Sequence, residues 1–229
     1  MKNILCTVCA RGGSVSLKNK NFRKLLNIPL ITRTLIQAHK TKIFDKIVVS
    51  SDSNKILKIS KKYSDFNIKR PKKLSNSKSS KISAIKHALI QSEKIFKKKF
   101  EIIIDLDVTA PLRTKNDIIK AKKKFINKKY KNLISVCYSN KNPYFNMVEK
   151  TKKGLNLVKK IKTNVFSRQE APRVFEINAA LYIWKRSCLI KAKKVVNNGT
   201  GLYLMPKSRS VDIDTLEDFK LVEYYMKRK

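Results

Sequence analysis

Strand-length apolar runs alternate with amphipathic helical stretches through the first 125 residues, and few architectures accommodate that alternation. Ile4–Ala10 reads as a buried strand followed by a loop over Arg11–Asn27. Pro29–Lys40 is a helix with proline near its first turn, where the missing N–H costs least. Ile47–Ser51 is a strand, and Ser53–Tyr63 a helix that Ser53 or Asp52 would cap. Ser80–Phe96 carries the helical period through Ile82, Ile85, Leu89 and Phe96. Glu101–Leu106 is a short continuous apolar strand, and Asn116–Ile126 a further helix. The pattern predicts an α/β chain whose mostly parallel sheet is covered by helices on both faces, a three-layer α/β/α arrangement. The 229 residues suit one domain, and 42% apolar composition supplies its core without disulfide staples.

The regularity breaks after the strand Leu133–Tyr138. Residues 139–177 are polar, lysine-rich and weakly periodic, which marks an excursion with its own purpose, such as a lid or dimer arm. Regular structure resumes with the strand Ala179–Lys185, a helix near Ser187–Val196, the strand Leu202–Met205 and a final helix over Thr215–Met226. No apolar run approaches the roughly 18 residues of a membrane span, so membrane insertion is not expected.

The net charge of +38, from 54 basic and 16 acidic residues, suggests a polyanion partner at face value. Only 10 of the basic residues are arginine, however, and the lysines fall on helix faces such as KISKKY and KAKKKF. Nucleic-acid readers rely on arginine forks and aromatic platforms, and neither clusters here, so a solvated surface is the expectation. Cys6 and Cys9 form a CxxC inside an apolar run, with no second CxxC and no ligand-like spacing of His39 or His87. They read as small residues of buried strands, which fits a reducing cytoplasm.

Ligands of open α/β sheets bind beyond the carboxyl ends of the strands, so the polar residues there carry the chemistry. After the first strand, Gly12 and Gly13 admit close backbone approach, and Arg11, Lys18 and Lys20 set cations beside it. This composition suits a phosphate, although an ordinary glycine turn would use the same residues. It follows neither the Walker nor the dinucleotide fingerprint. Later come DLDVTAPLR, with Asp105 and Asp107 at a strand end and Pro111 and Arg113 in a rigid turn, and VDIDT, with Asp212 and Asp214. Aspartates two apart in an extended segment point the same way and repel unless a cation lies between them. Hard oxygens with room for phosphate and water suit Mg²⁺, with Mn²⁺ as a substitute. A solvated edge, or a helix cap at Asp214, is the alternative.

MKNILCTVCARGGS, KNKNFRKL, SSDSNKI, RPKKL, DLDVTAPLR, NPYFNMVE, SRQEAP, INAALYIWKR and VDIDTLEDF run in the order found in bacterial acylneuraminate cytidylyltransferases. The chain resembles that family from residue 3 to about 222, and within it the branch that makes CMP-legionaminic acid. The resemblance implies a Rossmann-like fold of the nucleotide-diphospho-sugar transferase type. It implies transfer of CMP from CTP to a nonulosonic acid for surface glycan or flagellin glycosylation. The family's ARxGSKGxxxKN loop binds CTP, which implies nucleotide contacts at Ala10, Arg11, Gly12, Gly13, Ser14, Lys20 and Asn21, together with Arg70 and Ser80. Arg11, Lys20, Asp212 and Asp214 are implied as catalytic, the two aspartates holding the metal. Asp107 stands where the family's QPTSPLR has a glutamine that contacts the sugar, and Thr109, Arg168, Gln169, Asn178 and Tyr182 join it as implied sugar contacts. The 139–177 excursion corresponds to the family's dimerisation arm and implies a homodimer.

Besides Asp107, four positions depart from the pattern. Val15-Ser16 replaces the loop's Lys-Gly, with Lys18 as a candidate substitute cation. Ser77 replaces the aspartate of LAxD, and Ala179 the glycine of NGA. Pseudaminic acid, N-acetylneuraminic acid and the eight-carbon Kdo remain as alternative sugars, and a noncatalytic or nucleic-acid-binding role for the basic surface as an alternative class.

Overall fold

A computed structural model of the chain describes residues 3–13, 17–76, 79–161, 165 and 167–228. In chain order, β1 (Ile4–Cys9) is followed by a short hairpin of β2 (Lys24–Leu25) and β3 (Ile28–Pro29). Then come α1 (Leu30–Thr41), β4 (Lys46–Ser51), α2 (Asn54–Ser60), β5 (Phe66–Lys69), α3 (Lys81–Ile95), β6 (Ile102–Leu106) and α4 (Lys115–Asn127). The second part holds β7 (Asn132–Tyr138), β8 (Val148–Thr151), β9 (Gly154–Leu157) and β10 (Phe175–Lys185). It ends with α5 (Arg186–Lys191), β11 (Thr200–Leu204) and α6 (Leu216–Lys227).

Seven strands form one sheet in the order β11-β7-β10-β6-β1-β4-β5. Neighbours run parallel except at β10, which lies antiparallel between β6 and β7. The mostly parallel α/β reading therefore holds. Strand alternation splits the core in two. Ile4, Cys6 and Val8 of β1 face α1, α2, α4 and α6, whereas Leu5 faces Ile82, Ile85 and Leu89 of α3. Cys6 and Cys9, an odd number of residues apart, thus lie on opposite faces of β1 and cannot converge on one ion or one bond.

The helices begin where their caps dictate. Ser53, not Asp52, caps α2 by accepting from the Ile56 N–H, and Thr114 and Thr215 each form a reciprocal capping box with Asp117 and Asp218. The helix expected over Ser187–Val196 stops at Lys191, because the next carbonyls serve side chains instead. Lys86 Nζ donates to the Ala192 oxygen at 2.6 Å, and Asn132 Nδ2 to the Val195 oxygen at 2.8 Å. Strand β10 starts at Phe175, earlier than expected, pairing Phe175 with Tyr138. Its register then slips between Ile177 and Tyr182, and Ala179 takes a left-handed φ of 53°. The excursion contains the β8–β9 hairpin, turned by Gly154 at φ 102°. Strand β5, an edge strand with one buried residue in four, has too little apolar pattern for the sequence to delimit.

Candidate active site

The carboxyl ends of β1, β5 and β6 open onto a cleft of about 330 Å³. Its loop wall follows directly from β1. The Ala10 N–H donates to the Ser50 carbonyl, continuing the ladder, and the Gly12 N–H donates to Asp52 Oδ1 at 2.9 Å. A side chain at Gly12 would come within 2.8 Å of Ser53 Cβ, so the close approach requires glycine there. Gly13 is open, and nothing lies within 4 Å of its position for a side chain. Asn21 is buried and donates to the Arg11 carbonyl at 2.8 Å, which ties the loop to the turn that follows. Arg70 is buried at the end of β5, 3.9 Å from Asp52 and bonded through Nε to Ser75. Ser14, Val15, Ser16 and Ser77 lie outside the described residues. Lys18 is exposed and does not line the cleft.

The floor is a cluster of opposed charges. Asp105, fully buried on β6, accepts from Thr7 Oγ1 at 2.8 Å. Lys81, in the first turn of α3, lies 3.1 Å from Asp105 Oδ2, hydrogen-bonds Asp107 Oδ2 and sits 5.0 Å above the Tyr182 ring. Burial alone would discharge this ammonium, but the two carboxylates outweigh it and hold Lys81 well above the usual lysine range. Burial likewise opposes the charge of Asp107, and Lys81 reverses that and keeps its carboxyl below the usual range. Arg113 does not face the cleft. It is buried, donating to the Asp107 and Ala180 carbonyls and to Gln37, and so locks the turn after β6.

The acidic segment before α6 forms the third side. Thr215 caps the helix with Asp218, which leaves the Asp214 side chain out of the cap and free to pair with Lys20 at 2.7 Å. Three ties hold the segment. The Ile213 N–H donates to the Thr109 carbonyl at 2.9 Å, Asn178 Nδ2 to Ser210 Oγ at 2.8 Å, and Arg209 pairs with Asp117 at 2.8 Å. Asp212 carries a buried Oδ1 with no hydrogen-bond partner. Its pKa is pushed up to about 6, first by burial and then by the Asp107 charge, with the nearby Thr109 hydroxyl opposing the rise. Among the described residues no group of three or more acidic, histidine or cysteine side chains gathers for a metal, and of the expected pair Asp214 lines the cleft while Asp212 does not. An orphaned, desolvated carboxylate oxygen beside a second carboxylate fits a hard divalent cation.

Of the residues expected from the sequence, Arg11, Lys20, Asn21, Arg70, Ser80, Asp107, Thr109 and Asp214 line this one cleft. Tyr182 lies buried beneath it, and Asn178 is buried with its amide spent on Ser210 and the Ala180 N–H. Arg168 and Gln169 line a separate cavity of about 480 Å³ with Tyr138, Asn142 and Arg173. Within one chain the two cavities have no lining residue in common. Lys81 and Asp52 were not expected as site residues, and Asp105, expected at the strand end without a role, is the buried partner of Lys81. One signal was available for Lys81: a lysine directly after the Ser80 cap opposes the helix dipole, so a local carboxylate is needed to hold it there.

A family profile described as cytidylyltransferase matches residues 5–226. The chain is 42% identical over 230 aligned residues to the post-translational flagellin modification protein B of Campylobacter coli, covering 100% of this chain and 97% of that one. The same identity and coverage relate it to the CMP-N,N'-diacetyllegionaminic acid synthase of Campylobacter jejuni. In fold it is similar to a CMP:2-keto-3-deoxy-manno-octonic acid synthetase complexed with CTP, with TM-score 0.73, 13% identity and 99% of both chains covered. The chain belongs to the cytidylyltransferase family.

Proposed function

We propose that this protein transfers CMP from CTP to the anomeric hydroxyl of a legionaminic-type nonulosonic acid, releasing pyrophosphate. One observation carries the reading. The cleft that sets Arg11, Lys20 and Arg70 against Asp107 and Asp214 belongs to a chain related end to end to a CMP-N,N'-diacetyllegionaminic acid synthase.

In this reading Asn21, Arg70 and Ser80 receive the cytidine end of CTP, and Arg11 and Lys20 face the triphosphate. The anomeric oxygen attacks the α-phosphorus in line, the bond to the β-phosphate oxygen breaks, and the hydroxyl proton leaves to solvent. Such chemistry is mainly positioning and charge neutralisation. Lys20 is held by Asp214 until phosphate oxygens compete for it, so its ammonium is preset where negative charge develops. Asp212 and Asp214 would hold Mg²⁺, or Mn²⁺ in its place, and when bound it would neutralise phosphate charge and lower the pKa of the attacking hydroxyl. The unpartnered Asp212 Oδ1 supports that assignment. Arg168 is the bidentate donor for the sugar carboxylate. Since Arg168 lines a different cavity, the proposal includes a homodimer in which residues 139–177 contact a second copy. Exposed Met147, Val148 and Leu155 on and beside the hairpin support an apolar contact there.

The test is pyrophosphate release from CTP with N,N'-diacetyllegionaminic acid, N-acetylneuraminic acid, pseudaminic acid and Kdo. Release is expected with the first and weaker release with the others. No release with any sugar, together with salt-sensitive RNA binding, overturns the reading.

A further inference from the structure

Residues 210–214, which bring Asp212 and Asp214 to the site, have no regular structure, so their position depends on what ties them down. At the far end the Asp214 N–H donates to Asp218 of the α6 cap at 3.0 Å. Along the segment the ties are single neutral hydrogen bonds, from the Ile213 N–H to the Thr109 carbonyl and from Asn178 to Ser210. The near end is held differently. Arg209 closes the short helical turn Lys207–Arg209 and grips Asp117 twice, Nη2 to Oδ1 at 2.8 Å and Nε to Oδ2 at 3.2 Å. Asp117 is 2% exposed and is itself fixed. Its Oδ2 accepts the Thr114 N–H and hydroxyl at 2.9 and 2.7 Å, and its Oδ1 the Tyr203 hydroxyl at 3.2 Å. Its helix packs Ile118, Ala121 and Phe125 into the core. The anchor therefore belongs to the rigid body of the fold, and a charged fork on it is roughly twice as strong as a neutral bond.

We propose that Arg209 is a positioning residue for the transfer reaction: its fork on Asp117 fixes where the 210–214 segment enters the site, so that Asp214 meets Lys20 and Asp212 keeps its place two residues before it. The inference deepens the reading given under Proposed function and rests on it. Arg209 does not line the cleft and acts only through the segment it anchors.

The experiment compares the wild-type chain with Arg209→Met, Arg209→Lys and Tyr203→Phe. It reads steady-state kinetics with CTP and N,N'-diacetyllegionaminic acid, Mn²⁺ binding by electron paramagnetic resonance, and backbone amide exchange at Ile213. Arg209→Met is expected to lower kcat about tenfold or more and to weaken Mn²⁺ binding about 10–100-fold, with KM for CTP within about threefold. Exchange at Ile213 should quicken about tenfold, as loss of a charged hydrogen bond allows. Arg209→Lys keeps the charge without the fork and falls between the two. Tyr203→Phe removes another bond to Asp117 without touching the segment, and should lower the melting temperature while leaving kcat and Mn²⁺ binding within about twofold. If Arg209→Met does not fold because Asp117 is left buried and unpaired, the double variant Arg209→Met with Asp117→Asn removes that charge and should show the same losses. Wild-type kcat and Mn²⁺ binding in a folded Arg209→Met protein overturn the inference, as do unchanged exchange at Ile213 or equal losses in Tyr203→Phe. A wild-type protein with neither Mn²⁺ binding nor pyrophosphate release overturns the functional reading instead, and exchange at Ile213 then still decides the anchor.

Discussion

The cleft floor and the 139–177 excursion treat their polar and apolar groups in opposite ways. Around the cleft nearly every charged side chain has an assigned partner: Asp105 with Thr7 and Lys81, Asp107 with Thr109, Asp214 with Lys20, Asp52 with Gly12. The excursion instead turns Val148, Leu155 and Met147 outward and lines its own cavity with Arg168 and Gln169. The difference teaches that the cleft floor is preorganised inside one chain, whereas the cavity lined by Arg168 shares no residue with it and lies beside a hairpin with exposed apolar side chains. Buried charge networks of the first kind rigidify a site, and exposed apolar patches are where interaction surfaces tend to form.

The largest effect that would break this comparison lies in the cleft. Asp212→Ala is expected to lower kcat by about 10²–10³ or more, the usual cost of removing a preset electrostatic group from a water-poor site. Circular dichroism should show the fold unchanged, and near-wild-type turnover would remove Asp212 from the metal assignment. On the excursion, Arg168→Ala is expected to raise KM for the sugar acid by about 10–100-fold while sparing CTP, as loss of a charge-assisted pair does. Mixing the Arg168→Ala and Asp212→Ala proteins sharpens the comparison. If the excursion of one protomer serves its partner, random re-pairing restores activity at about a quarter of the sites. No recovery would mean that each chain uses its own arginine.

The smallest effect concerns the strand that joins the two regions. β10 runs from the excursion at Phe175 to Tyr182 opposite Asp105, and the bulge between them puts Ala179 at φ 53°. An L-residue in that region costs on the order of 1 kcal/mol, so Ala179→Gly is expected to raise the melting temperature by about 2–4 °C. An unchanged or lower melting temperature would show that the bulge carries no strain.

Much of this organisation was legible in residue order. The alternation of apolar runs and helical periods anticipates the parallel sheet, because each element must bury one face against the next layer. Ser53 announces its helix start through a local hydrogen bond that needs no distant partner, whereas Thr114 and Thr215 cap α4 and α6 where a start at Asn116 and, as an alternative, a cap at Asp214 were expected. The end of α5 was not legible, since Lys86 and Asn132, far away in the chain, take the carbonyls of the following turns. The bulge in β10 was hidden for the same reason, as it depends on pairing with both neighbouring strands.

For the site, the sequence by itself determined which polar residues stand at the strand ends. A strand that must be buried delivers its next residues to the sheet edge wherever the rest of the chain lies. It thus marked Arg11 and Asp107, while loop composition marked Lys20 and the two-residue spacing marked Asp212 and Asp214. Only the tertiary structure decided how they are paired. It brought Lys81 of α3 onto Asp105 and Asp107, and Lys20 across 194 positions to Asp214. It spent Asn178 on Ser210 and kept Arg168 in a separate cavity. Pairing is set by the packing of helices on the sheet, and separations along the chain carry no trace of it.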